Sequence, residues 1–253
     1  MTATASSLIL NVYAPALGGN TSRAIAVVRG MEHALPGLRM EWTISDEGQR
    51  IPLADRDAWI ARGRPEGGGF PLLCNGDDHF RVTLSGWEVP AGNSPDGKPL
   101  LHIHAKLPLD ETVIAVAADV LERVAESTHA LWGHATPQRA AREIAEQTSR
   151  PLKGPHRPPR GLPVLKKSEH IRSPEIPHRL GWMNHWSAAT AERIGFPDPV
   201  RDVDLLSRTR RTPTGGWVVW LTDAPLDLDN PTHLDVLLRT YERFPEIGGR
   251  TAP

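Results

Sequence analysis

Seven of the 27 residues from Pro151 to Pro177 are proline, and this segment constrains the fold more than any other part of the 253-residue chain. Proline supplies no amide hydrogen and fixes the backbone φ angle, so neither a helix nor a central strand is expected there. We therefore divide the chain into an α+β domain over 1–150, a connector over 151–177 and a tryptophan-rich segment over 178–253. We expect the last segment to complete the same domain as the first.

The connector is also the basic part of the chain. Between Thr148 and Leu180 there are eight lysines and arginines against two glutamates, a net charge of +6. Because the whole chain carries −1, the remaining residues carry −7. The default interpretation is a solvated segment that crosses the surface. The alternatives are an arm that binds phosphate or acidic groups, and a scaffold or nucleic-acid-associated protein that acts through the connector, although the aromatic residues of single-strand binders are missing. The cations of such an arm would be Arg157, Arg160, Lys166 and Lys167.

Periodic apolar residues predict an α+β fold. Residues 8–13 and 101–105 alternate in polarity like half-buried strands, and residues 217–221 read as a further strand. Apolar residues at helical spacing from Asp110 predict the longest helix, which could extend to Trp132. Hairpin-like strands bunched between helices favour a mixed, largely antiparallel sheet of five or more strands, packed against helices, over a regular doubly wound sheet.

Several classes of protein are excluded or disfavoured by simple observations. Cys74 is the single cysteine, so the chain can form neither an internal disulfide nor a cysteine zinc site. No apolar run reaches the roughly 18–20 residues of a membrane helix, so no membrane partner is expected. The first residues lack the positive region of a signal peptide, and a cytoplasmic location is expected. No phosphate loop or nucleophile elbow is present.

His102 and His104 lie two residues apart on a predicted strand, which directs both imidazoles to one face. One strand can present two ligands to a single ion, so a metal-dependent hydrolase that uses this pair remains an alternative function. A metal site needs a third and usually a fourth ligand, and no spaced partner is visible. The default is therefore two polar residues on the wet face of an edge strand, and no metal, catalytic residue or cofactor is assigned.

The tryptophans and aspartates of the C-terminal segment each allow two interpretations. Core packing is the default for the tryptophans, but an exposed member would be a candidate interface anchor. Trp217 and Trp220 are expected on opposite faces of their strand. The three aspartates that follow that strand suit turns and helix capping, or alternatively an acidic rim that meets a basic partner. These aspartates are Asp223, Asp227 and Asp229.

Three stretches carry a resemblance to known families. They are residues 180–197, with the run Gly-Trp-Met-Asn-His-Trp-Ser, residues 216–227, with Gly-Trp and Pro-Leu-Asp, and residues 237–249, with Tyr-Glu-Arg-Phe-Pro and Ile-Gly-Gly. Together they resemble the immunity protein 52 family and the similar family called domain of unknown function 5953. The resemblance is clearest over residues 178–249 and consists of tryptophan and glycine texture, with no catalytic signature.

The resemblance implies a cytoplasmic immunity protein of a bacterial polymorphic toxin system, often one linked to type VI secretion. Such a protein would be a nuclease inhibitor that binds a cognate nuclease-type toxin and neutralises it by occlusion. Neither a small-molecule substrate nor direct nucleic-acid binding is implied. A nuclease cleft is basic, whereas the body of this chain is only moderately acidic. The expected contacts are the exposed members of Trp182, Asn184, Trp186 and Trp217, with Asp223, Asp227 and Asp229 as the rim.

Overall fold

The computed structural model describes residues 6–63, 68–148 and 157–250, which contain ten strands and seven α-helices. The strands are β1 (Ser7–Pro15), β2 (Trp42–Ile44), β3 (Arg50–Pro52), β4 (Gly69–Cys74), β5 (Thr83–Val89), β6 (Leu100–Pro108), β7 (Trp132–Pro137), β8 (Met183–Trp186), β9 (Thr209–Arg211) and β10 (Trp217–Trp220). The helices are α1 (Thr21–Ala34), α2 (Arg56–Ala61), α3 (Glu111–Ser127), α4 (Gln138–Ala145), α5 (Ala188–Ile194), α6 (Val203–Leu206) and α7 (Pro231–Arg243).

All ten strands belong to one sheet, in the order β3-β2-β4-β5-β6-β1-β7-β8-β10-β9. The predicted α+β class with a sheet of five or more strands is confirmed. Every strand pair of the described residues is antiparallel, so the sheet is more uniform than the mixed arrangement expected. The pairing of β7 with β8 joins strands of the 1–150 region to strands of the 178–253 region.

The central strand β1 shows how the sheet divides two layers. Leu8, Leu10 and Val12 are buried on one face, which α1 and α3 cover with apolar side chains of their own. Burying one such side chain stabilises the fold by roughly 1.5–3 kcal/mol. Asn11 and Tyr13 point to the opposite face, because successive residues of a strand alternate. We call this opposite side the second face; α4 and the connector lie against it.

The longest helix, α3, ends before Trp132, to which its apolar pattern could have extended it. Asp110 caps its start by accepting a hydrogen bond from Val113 N at 2.9 Å, and the helix runs from Glu111 to Ser127. Thr128 donates its hydroxyl back to the carbonyls of the last turn, and His129 takes a positive φ of 52°, which stops the helix. Trp132 therefore begins strand β7 instead of ending a helix. All six residues of β7 are buried, so this strand shows no alternation in polarity.

The connector packs against the sheet over the part that the structure describes. Residues 149–156 lie outside the described residues. They include two of the basic residues counted above, Arg150 and Lys153. Between 157 and 177 the chain forms only two short 3₁₀ turns, as the prolines predict. Its apolar side chains are nevertheless buried, at Leu162, Leu165, Ile171 and Ile176. The connector thus covers core surface and is more than a solvated crossing.

Within the described residues, no helix combines the length and the apolar character that crossing a bilayer requires.

Candidate functional site

The second face of the sheet centre carries polar and aromatic side chains where a core would carry aliphatic ones. Neighbouring strands β6, β1 and β7 align their alternate residues in register, so that Tyr13 lies between His102 and Trp132. We call this surface the histidine face. Its members are Asn11, Tyr13, His102, His104, Trp132, His134 and His178, the residue directly after the connector.

The rings of the histidine face stack on one another. Tyr13 lies between His102 and Trp132, with ring centroids 4.3 and 4.1 Å away and interplanar angles of 16° and 20°. His178 packs at a tilt against Tyr13 and Trp132, with centroids 4.9 and 4.5 Å away. Cross-strand neighbours on one face have Cβ atoms about 4.5–5.5 Å apart, so the strand spacing itself supports the stack. Trp132 also donates its indole N–H to the carbonyl of Pro174 at 3.1 Å, which anchors the connector.

His102 and His104 do share one face, as predicted, and they share one acceptor. Asn11 Oδ1 accepts hydrogen bonds from His102 Nε2 at 2.9 Å and His104 Nδ1 at 3.1 Å. An amide oxygen therefore occupies the position where two imidazoles converge. Among the described residues, no group of three or more histidine, cysteine, aspartate or glutamate side chains is arranged to hold a metal ion.

Burial keeps the histidine face uncharged near neutral pH. Burial first, and the nearby charge of Arg179 second, lower the pKa values of His134 and His178 to about 3. Burial also moves the pKa of His102 well below its ordinary value. For His104, burial and then Lys106 lower the pKa. Arg179 and Lys106 thus place their positive charges beside neutral imidazoles.

Two cavities open on either side of the half-buried Arg179. The first, which we call the basic cavity, has a volume of about 330 Å³, and the second, between β1 and α4, has about 370 Å³. The lining of the basic cavity includes Tyr13, Ser94, His102, Lys166, Lys167, Ser168, Glu169, His178 and Arg179. The lining of the β1–α4 cavity includes Asn11, His104, Lys106, His134, Thr136, Arg142 and Arg179.

Three of the four residues named as conditional partner contacts are buried. Trp182 donates its indole N–H to the carbonyl of Thr222 at 2.9 Å, and its side chain is fully enclosed. Asn184 is 1% exposed, and its amide closes a local loop through two hydrogen bonds with the backbone of Gly181, at 2.9 and 3.1 Å. Trp186, also 1% exposed, packs edge-on against aromatic rings of the core. Their positions correspond to the core-packing interpretation.

Trp217 is the partly exposed member of that set. Its ring packs edge-on against Phe196, with centroids 5.5 Å apart, and the guanidinium of Arg211 lies 5.5 Å from its centroid. Trp220 is likewise half-exposed, on the opposite face of β10. Trp217 therefore remains the predicted aromatic contact.

The three aspartates are exposed but differ in their partners. Asp229 forms ion pairs with Arg139 and Arg160, each at 2.5 Å. Asp227 Oδ1 accepts a hydrogen bond from Asp229 N at 3.0 Å, which is turn chemistry of the expected kind. Asn230 caps α7 by accepting from Thr232 N at 2.9 Å. Within the described residues no ion pair engages Asp223 or Asp227, so these two carry the free acidic charge of the rim.

Arg179 and His178 were not singled out by sequence reasoning. Arg179 was counted only as one charge of the basic run, and His178 had no neighbour in the sequence that marked it. Tyr13 was recognised only as part of a strand. The available signal was the two-residue alternation of β1 and β6, which places Asn11 and Tyr13 on the same face as His102.

The fold and site define a class of α+β protein with one antiparallel sheet, helices on both sides and a histidine-lined second face. A family model matches residues 19–252, and the chain belongs to that family, described as Domain of unknown function (DUF5953). This confirms one of the two families in the resemblance. No curated protein matches the chain.

One solved structure similar to this chain is described as Pseudomonas aeruginosa T6SS protein PA0821. The match has a TM-score of 0.55 and 14% sequence identity, and it covers 96% of this chain and 76% of that chain. At this level of identity the similarity concerns the fold.

Proposed function

We propose that this protein is an immunity protein that binds a cognate nuclease-type toxin and neutralises it by occlusion. The observation that carries the proposal is the shared fold, over 96% of this chain, with a protein described as a T6SS protein. The resemblance of residues 178–249 to the immunity protein 52 family gives the finer assignment. Fold similarity alone does not transmit function, so the assignment depends on a binding experiment.

The proposed contact surface consists of Trp217, Asp223 and Asp227. A half-exposed tryptophan offers a large anchor of the kind enriched at binding hot spots. The two aspartates lie on the loop that follows its strand, and their charges are available to a basic nuclease cleft. Asp229 belongs to the same rim but is already neutralised by two arginines.

No observation favours the metal-dependent hydrolase. His102 and His104 both donate to Asn11, and no third ligand joins them among the described residues. The half-buried Lys106 lies on the same strand as the two histidines, and its positive charge disfavours the binding of a metal cation beside it.

The test is co-expression of this chain with the product of the neighbouring open reading frame, followed by affinity capture and mass measurement. We expect a 1:1 complex, and host death when this chain is omitted. A harmless neighbour and a captured chain without a partner would contradict the proposal.

Variants then locate the surface. Replacing Trp217 with alanine, or Asp223 and Asp227 with asparagine, is expected to weaken the complex by at least about tenfold. The matched control is Asp235→Asn, an exposed aspartate on α7 that pairs with Arg239 and lies outside the proposed surface. An unchanged affinity in both test variants would place the contact elsewhere on the protein.

A further inference from the structure

Arg179 is a half-buried cation without a matching anion. Across residues 6–63, 68–148 and 157–250, no carboxylate oxygen lies within 4.0 Å of its guanidinium. The half-buried Arg56 and Arg243 pair with carboxylates, and the half-buried Arg23 and Arg250 donate to backbone carbonyls. The guanidinium of Arg179 makes neither kind of contact within the described residues. A desolvated guanidinium is favoured when an anion occupies its donor groups.

The cavity beside Arg179 concentrates positive charge. Lys166 and Lys167 join Arg179 in the lining, whereas Glu169 is the one carboxylate there among the described residues. The Glu169 carboxylate is 4.0 Å from Lys167, at the limit of an ion pair, which leaves Lys166 and Arg179 uncompensated. The net charge of the lining is therefore positive while the neighbouring histidines are neutral.

A second feature borders the same space. His178 is 7% exposed and lines the basic cavity, yet its buried Nε2 atom has no hydrogen-bond partner. Buried polar atoms in folded proteins are almost always paired. Arg179 lines the cavity, and its guanidinium donates no hydrogen bond within the described residues, so an oxyanion with several acceptor oxygens would satisfy it.

We propose that the basic cavity binds the phosphate group of a small phosphorylated ligand. Arg179 and Lys166 supply the charge that a phosphate dianion requires. The volume of about 330 Å³ lies at the lower end of ligand pockets and suits a free phosphate or a small monoester. The lining of this site shares no residue with the proposed toxin contacts at Trp217, Asp223 and Asp227.

The experiment is isothermal titration of the purified full-length chain with inorganic phosphate and, separately, with adenosine monophosphate. Ionic strength is held constant with sodium chloride, so that general screening of the basic surface stays fixed. We expect saturable 1:1 binding of at least one of the two probes with a Kd below about 1 mM. Tighter binding of phosphate would identify a free-phosphate site, and tighter binding of the nucleotide would identify a monoester site.

Variants assign the binding to the basic cavity. Arg179→Gln is expected to weaken binding by at least about tenfold, and Lys166→Gln by about threefold. Arg142→Gln is the matched control. It removes the same charge as Arg179→Gln, but Arg142 lines the β1–α4 cavity and not the basic cavity. The double variant Lys166→Gln and Lys167→Gln provides the same test if Arg179→Gln fails to fold.

Absence of saturable binding by both probes at about 10 mM would overturn the proposal. Equal loss of affinity in Arg142→Gln and Arg179→Gln would also overturn it, because general surface charge would then explain the binding. The titration uses the protein alone, so either result is independent of whether a toxin partner is found.

Discussion

The guanidinium of Arg160 donates to Asp229 Oδ1 at 2.5 Å and joins the connector to the loop before α7. Arg160 also forms an ion pair with Glu143 and donates to the carbonyl of Leu228 at 3.0 Å. The hydrogen bond from Arg160 is the main reason that the pKa of Asp229 is lowered. A basic residue of the connector and an acidic residue of the rim thus neutralise each other within the chain.

Removal of this contact is expected to loosen the connector. In Arg160→Ala, hydrogen exchange at the amides of Leu162 and Leu165 should accelerate, because the segment loses its side-chain links to α4 and to the 228–229 loop. Exchange monitored by mass spectrometry provides the measurement. Arg172→Ala, which removes an exposed connector charge, is the control and should leave these amides unchanged. Equal rates in the two variants would show that apolar packing alone holds the connector.

Trp186→Ala is expected to lower the free energy of unfolding by about 3–5 kcal/mol, because truncation leaves a cavity among Phe196, Phe244 and the sheet. Urea denaturation measures the change. Trp217→Ala removes the same side chain from a half-exposed position and should cost clearly less. Similar losses in the two variants would contradict the assignment of Trp217 to a surface role.

Arg243→Met tests a buried ion pair. Asp202 is 1% exposed and accepts from Arg243 Nε at 2.6 Å and from a terminal nitrogen at 2.9 Å. Loss of the arginine leaves a buried carboxylate without its cation, which typically costs about 3–5 kcal/mol. The control is Arg239→Met, since Arg239 is exposed and its pair with Asp235 should contribute no more than about 0.5 kcal/mol. Thermal and urea unfolding of both variants would show whether the difference exists.

Stability should fall on acidification from about pH 6.5 to pH 3. The pKa values of His134 and His178 are about 3 in the fold, against the ordinary 6.5 of histidine, so in this window the unfolded chain binds protons that the folded chain does not. The free energy of unfolding therefore rises with pH there, by at most about 1.4 kcal/mol per pH unit for each histidine. His134→Asn should reduce the slope of unfolding free energy against pH. An unchanged slope in His134→Asn would contradict this prediction.

Local signals were sufficient for most of the secondary structure. The alternation of residues 8–13 and 101–105 predicted β1 and β6, residues 217–221 predicted β10, and the helical spacing from Asp110 predicted α3. β7 and β8 were missed because both are buried on both faces, so neither alternates. The three-residue strands β3 and β9 are too short to show a period.

The amino-acid sequence by itself determined the α+β class, the two-residue alternation that turns His102 and His104 to one side, and the irregular connector. These features depend on backbone preferences and periodicity, which act over a few residues. Only the tertiary structure decided that Asn11 lies between these histidines, that Trp186 is buried and Trp217 is not, and that Arg179 faces two cavities. The reason is that such neighbours come from strand order and register, and a shift of one residue would turn each side chain to the other face of the sheet.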